Sequence, residues 1–203
     1  MKNAKKIMAL LLCAVLLVGA TIAGTVAYLT STDEVKNTFA VGNVKIYLDE
    51  TDIDGSETGT IEEAGRDKEN EYHLMPGKEY AKDPRVTVRA GSEPCYIFVR
   101  VVNDIAAIEA AGNTTIAKQM EANWHLVDGE TNVYYYKDVL TAGDTATVFE
   151  KFVIADNVTN DTLAAYAPNE TTGAKKTITV TAYAVQQEGF ATAQAAWDAS
   201  FGA

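Results

Sequence analysis

Three features of the sequence predict an all-β fold, an antiparallel β-sandwich with short helical insertions and a C-terminal helix. Period-two alternation recurs along the chain, turn signals separate the alternating runs, and helical patterns are brief. The sandwich domain is expected over 39–203, preceded by an arm over 28–38 and a leader over 1–27.

In chain order, Phe39 and Val41 share one face, and Gly42-Asn43 reads as a bulge that re-registers the strand. Val44, Ile46 and Leu48 then resume the alternation. Residues 49–71 are acidic and polar, with Gly55, Gly59 and Gly65, and read as a long loop. The turn Leu74-Met75-Pro76-Gly77 leads towards Val86 and Val88, which alternate with Arg85, Thr87 and Arg89. In Cys95–Val102 the set Cys95, Ile97, Val99 and Val101 faces one way and Tyr96, Phe98 and Val102 the other. Apolar residues on both faces predict a central strand.

Asp104 reads as the N-cap of a helix over Ile105–Ala111 that ends at Gly112, with a second short helix over Thr115–Ala122. Trp124 to Leu140 reads as a hairpin with Asp128-Gly129 near its turn. There Tyr134 and Tyr136 share a face opposite Tyr135, which suits packing better than a sticky patch. A strand is expected over Thr145–Ile154; its lead-in Leu140-Thr141-Ala142-Gly143 echoes Leu74–Gly77 and hints at a pseudo-repeated sheet. A short helix over Asp161–Ala167 precedes the clearest alternating run, 175–187, with Ile178, Val180, Ala182 and Ala184 on one face. The last helix, 190–201, carries Phe190, Ala193, Trp197 and Phe201 on one stripe.

The N-terminus reads as an export signal. Lys2, Lys5 and Lys6 precede an uncharged run from Ile7 to Thr32, apolar through Gly19. Thr25 and Ala27 supply the small residues a signal peptidase needs, so that Tyr28 would be the first mature residue, although Ala20 and Ala23 also offer small side chains. An uncleaved anchor would fit the length of the run, but Gly19, Gly24 and the hydroxyl residues weaken its distal half. Membrane contact is therefore expected only through the uncleaved leader. Cys13 follows Leu12 and belongs to the apolar core of the leader.

Cleavage removes those three lysines from a net charge of −11, leaving −14 on 176 residues. Such acidity argues against nucleic acid and anionic membrane surfaces as partners. Cys95 would be the one remaining cysteine, so no intramolecular disulfide is expected, and a buried inert thiol is the reading for it.

Catalytic chemistry finds little footing. His73 and His125 stand in no paired metal-ligand spacing, and no nucleophile elbow or glycine-rich phosphate cradle appears. The chain is not expected to be an enzyme. Glu50, Asp52 and Asp54 before Gly55 resemble the first half of a calcium loop, with oxygen ligands at alternate positions and a glycine at the turn. Ile61 stands where the bidentate glutamate belongs, and Glu62 follows one residue late. A solvated acidic loop accounts for the same residues without a metal, so calcium is a candidate cofactor at Glu50, Asp52, Asp54 and Glu62, and no other cofactor is expected.

The segment from Gly24 to Leu48 resembles the TasA/camelysin-like family of exported Gram-positive proteins. Gly24, Thr25, Ala27, Tyr28, Asn37, Phe39 and Gly42 match its pattern, whereas Val26 and Leu29 replace expected aromatics. The likeness covers about residues 19–48 and extends more loosely to the Leu74–Gly77 turn, Cys95–Val102 and the C-terminal region. It implies a jelly-roll-like sandwich, processing by a SipW-type signal peptidase, and a place in the extracellular matrix or at the cell surface. It further implies self-association into biofilm-matrix fibres, with the new N-terminus acting as a donor strand. Tyr28, Leu29 and Val35 are its candidate anchors, while Asp33, Glu34 and Lys36 would face solvent; a frayed arm is the plain alternative. A calcium-binding adhesin or ligand-binding module is the second functional reading. A secreted metallopeptidase is the third, held back by the lack of a zinc motif.

Overall fold

The computed structural model describes residues 43–56, 59–60, 62–167 and 175–202, all within the compact unit Val41–Ala203. The leader, the arm and the candidate residues Thr25, Ala27, Tyr28, Leu29 and Val35 lie outside the described residues. Among those described, no helix is long and apolar enough to cross a membrane.

The fold is all-β and antiparallel. One sheet has the order β2-β1-β4-β8, built from β2 (Arg66–Asp67), β1 (Ile46–Thr51), β4 (Arg85–Val88) and β8 (Thr145–Thr147). A second has the order β10-β5-β7-β6, from β10 (Ile178–Gln186), β5 (Cys95–Asn103), β7 (Val133–Tyr136) and β6 (Trp124–Leu126). A two-stranded ribbon pairs β3 (Glu79–Ala81) with β9 (Lys151–Val153).

Alternation along these strands builds one main core. Val86 and Val88 from β4, Ala146 from β8, and Cys95, Ile97, Val99 and Val101 from β5 all enter it. Tyr80 stacks on Phe152 across the β3–β9 ribbon, with ring centroids 4.9 Å apart. As expected, β5 is central, flanked by β10 and β7. Its other face forms a second cluster, where Tyr96 and Phe98 meet Val127, Val133, Ala193, Ala196 and Trp197.

That second cluster explains the C-terminal helix, here α3 (Ala193–Ser200). Thr192 caps it by accepting from the Ala195 N–H at 3.1 Å. Trp197 is buried against Phe98 and Tyr183, at 5.1 and 5.6 Å between ring centroids. Hiding an indole of this size is worth on the order of 4 kcal/mol before entropic costs. The expected stripe needs adjustment: Phe190 precedes the helix, Ala196 joins the buried face, and Phe201 is exposed.

Other expectations also change. Residues 49–71 are not one loop, because β1 runs through Thr51 and pairs Glu50 with Asp67 and Thr51 with Arg66. The helix over 105–111 is a single 3-10 turn at Ala106–Ile108. Asp104 does not cap it; its carboxylate accepts from the Thr177 N–H at 3.2 Å, while Ile105 N–H donates to Asn103 Oδ1. Glu109 then leaves helical conformation to bridge Ile154.

The strand expected over 145–154 splits into β8 and β9, because Val148 and Phe149 are both buried and break the alternation. Since β8 and β9 serve different sheets, and the two Leu-to-Gly turns lead into β3 and β8 of different sheets, the hinted repeat is confined to the turns. The remaining helices are α1 (Ile116–Met120), capped by Thr115, and α2 (Asn160–Ala164), capped by Thr159.

Candidate functional site

A cleft of about 1180 Å³ is lined by β1 of one larger sheet and β10 of the other. Ile46 and Leu48 line it from β1, and Ile178, Val180 and Ala182 from β10, while Ile105 and Phe152 contribute from the main core. The β10 residues are half-buried and alternate with exposed Thr179 and Thr181. All nine residues of β10 pair with β5 on one side. On its other side β10 has no strand neighbour among the described residues. In an antiparallel strand every second residue turns its N–H and C=O away from its partner, so this edge presents a row of backbone donors and acceptors.

Charge divides the rim of the cleft. Exposed Lys175 and Lys176 stand where the chain enters β10, and neither has an ion pair among the described residues. Asp54, Ser56, Thr60 and Glu62, with Lys68, Glu69, Asn70 and Glu71, form the opposing polar rim, and Glu69 and Glu71 are exposed.

Under that rim lies a buried network that makes β2 possible. Arg66 contacts Asp49 through Nε and Asp83 through Nη1 at 3.0 Å, and its Nη2 donates to the Asp49 and Asp83 carbonyls at 3.1 Å. Asp83 also accepts from the Thr51 N–H at 2.7 Å. Burial alone pushes the Asp83 carboxyl up, but the Thr51 and Arg66 bonds outweigh it and hold its pKa below the ordinary value. Tyr72, lining the same cleft, is pushed well above the ordinary phenol range by burial and by the Glu50 charge.

Two of the four metal candidates stand on cationic partners of their own. Glu50 is buried, with Lys82 Nζ at 2.6 Å and Asn70 Nδ2 at 2.9 Å on its two oxygens. Glu62 pairs with Arg89. Both carboxylates therefore serve as counter-charges to Lys82 and Arg89. Asp52 and Asp54 do come together, and the third carboxylate beside them is Asp67, with ligand oxygens all within 4.8 Å of one another. Asp67 lies beyond the reach of a contiguous calcium-loop pattern, and the β1–β2 pairing that delivers it is not encoded in local spacing.

The oxygen set suits a hard cation, and the loop already uses part of it. Asp52 Oδ1 accepts from the Gly55 N–H at 2.8 Å, in a turn where Gly55 has φ 75°. Asp54 accepts from Ser56 N–H and Oγ and, through Oδ2, from the Glu71 N–H at 2.7 Å. The Ser56 hydroxyl is the chief cause of its lowered pKa.

His73 and His125 are both exposed, His73 on the cleft rim and His125 beside Tyr135 at 5.4 Å between ring centroids. Cys95 is fully buried, and burial raises its thiol pKa to about 11, which keeps it protonated and unreactive. The open edge of β10 and the lysine pair before it were not singled out in the sequence. The long alternating run with two lysines at its start was the available signal.

No protein-family model, curated protein or solved structure matches this chain.

Proposed function

We propose that the protein is an exported structural subunit of extracellular fibres, with its two larger sheets arranged as a jelly-roll-like sandwich. In this reading a SipW-type signal peptidase removes residues 1–27 and frees the arm 28–38. The arm of one copy then adds as a strand to the cleft of the next. The observation that carries the reading is the nine-residue edge of β10 beside a cleft with apolar walls at Ile46, Leu48, Ile178, Val180 and Ala182. β-augmentation requires these two things: unpaired backbone groups for hydrogen bonding and pockets for alternate side chains. Repeated head to tail, the contact is heterologous and open, and so yields filaments.

Electron microscopy of residues 28–203 beside residues 39–203, at matched concentration, tests the proposal. Filaments from the longer form alone are expected. Filaments from both would move the contact elsewhere in the domain, and filaments from neither would remove the fibre reading.

A second reading, a calcium-binding surface module, draws support from the proximity of Asp52, Asp54 and Asp67. It requires a rise in melting temperature on adding calcium that the double variant Asp52→Ala/Asp54→Ala loses. An equal response of both proteins would dismiss it.

A further inference from the structure

We infer that Lys82 and Asn70 become joined by an intramolecular isopeptide bond, with Glu50 carrying protons between them. Glu50 lies on β1 with its side chain 6% exposed, and the Lys82 side chain beside it is 10% exposed. Lys82 Nζ donates to Glu50 Oε2 at 2.6 Å, and Asn70 Nδ2 donates to Glu50 Oε1 at 2.9 Å. One carboxylate therefore holds a primary amine and a carboxamide on its two oxygens. That places a nucleophile and an acyl donor side by side, with a base between them.

A plain ion pair accounts for Lys82 and Glu50 alone. The carboxamide is the added element, and it is oriented. Its Nδ2 also donates to the Thr51 carbonyl at 2.9 Å, and its Oδ1 accepts from the Ile53 N–H at 2.8 Å. The Ile53 bond polarises the carbonyl and meets the oxygen on which charge develops during attack. Lys82 is anchored by its backbone N–H, which donates to the Glu150 carbonyl at 3.1 Å, and its Nζ lies 5.6 Å from the centroid of the Tyr72 ring. Holding both groups on one carboxylate makes the encounter unimolecular, and burial limits competition from water.

The exchange is a transamidation. Glu50 takes a proton from the Lys82 ammonium, and the freed lone pair of Nζ attacks Asn70 Cγ. The carbonyl electron pair moves onto Oδ1 and returns as the bond from Cγ to Nδ2 breaks. Nitrogen departs with that bonding pair. Two protons leave Nζ in all, both through Glu50: one completes the departing ammonia and the other converts it to ammonium. Glu50 ends as a carboxylate, and no oxidant or co-reactant is consumed. The new bond closes residues 70–82, with the Leu74–Gly77 turn and β3, into a covalent ring beside β1. This inference is independent of the fibre reading.

Tryptic mapping of the denatured full chain by tandem mass spectrometry tests it, and the result does not depend on where the leader is cut. Trypsin cleaves after Lys68, Lys78 and Arg85 but not after an acylated Lys82. The expected product is peptide 69–78 joined to peptide 79–85 through Asn70 and Lys82, with the loss of one ammonia. Lys82→Arg and Glu50→Gln should each release 69–78 as a separate, unmodified peptide. Separate unmodified peptides from the unaltered, folded protein would overturn the inference, whatever the variants do. A loss of water with Lys82 joined to Glu50 would also overturn it, by naming a different acyl donor. So would a loss of ammonia confined to peptide 69–78, which is ring closure of Asn70 on its own backbone, or a cross-link that persists undiminished in Glu50→Gln.

Discussion

Arg66 and Asp49 are 9% and 4% exposed at their side chains, and Asp83 is about a third exposed on the far side of the guanidinium. Removing one partner of a buried pair leaves the other poorly compensated, here with Arg85 at 3.7 Å as the remaining cation beside Asp49, and that penalty exceeds the net worth of the pair. Arg66→Ala should therefore cost about 3–5 kcal/mol in urea unfolding at neutral pH. The penalty has a pH signature. The folded-state pKa of Asp83 is lowered, so its contribution is present above the unfolded value of about 4 and is lost as pH falls through the folded value. The gap between wild type and Arg66→Ala should accordingly narrow in acid. A loss under about 1 kcal/mol, the range of exposed pairs, would show that the network is not the anchor of β2.

At the level of elements, the sequence disclosed those whose cause is local. β5 was legible because both of its faces are apolar, and the β6–β7 hairpin because alternating segments flank Asp128-Gly129. β10 was legible from alternation alone, although the ordered strand starts three residues later than the alternating run. Elements created by distant pairing were hidden. Arg66–Asp67 has no strand pattern and is ordered by β1 and by the Asp49–Arg66–Asp83 contacts. The Val148-Phe149 pair gave a continuous β signal, yet the chain leaves one sheet there and joins the ribbon with β3. The acidic loop followed the same rule: spacing found Asp52 and Asp54, but only the fold brings Asp67 to them and turns Glu50 and Glu62 towards Lys82 and Arg89.

For the whole molecule, the proposed assembly would have to overcome like charge. The full chain carries −11, and the proposed loss of residues 1–27 would make each copy more acidic by removing Lys2, Lys5 and Lys6. At about 0.01 M salt the Debye length is roughly 30 Å, enough for whole subunits to repel, whereas at about 0.15 M it is roughly 8 Å. Long-range repulsion therefore dominates the ionic-strength response, and the lag before filament growth of residues 28–203 should shorten between those two concentrations. Light scattering at matched protein concentration measures it. Sodium chloride and calcium chloride at equal Debye length separate screening from binding. Equal lags assign the effect to screening alone. A shorter lag in calcium that disappears in Asp52→Ala/Asp54→Ala would tie the Asp52–Asp54–Asp67 cluster to assembly. A lag that lengthens with added sodium chloride would mean that attraction between oppositely charged surfaces, not relief of repulsion, governs the encounter.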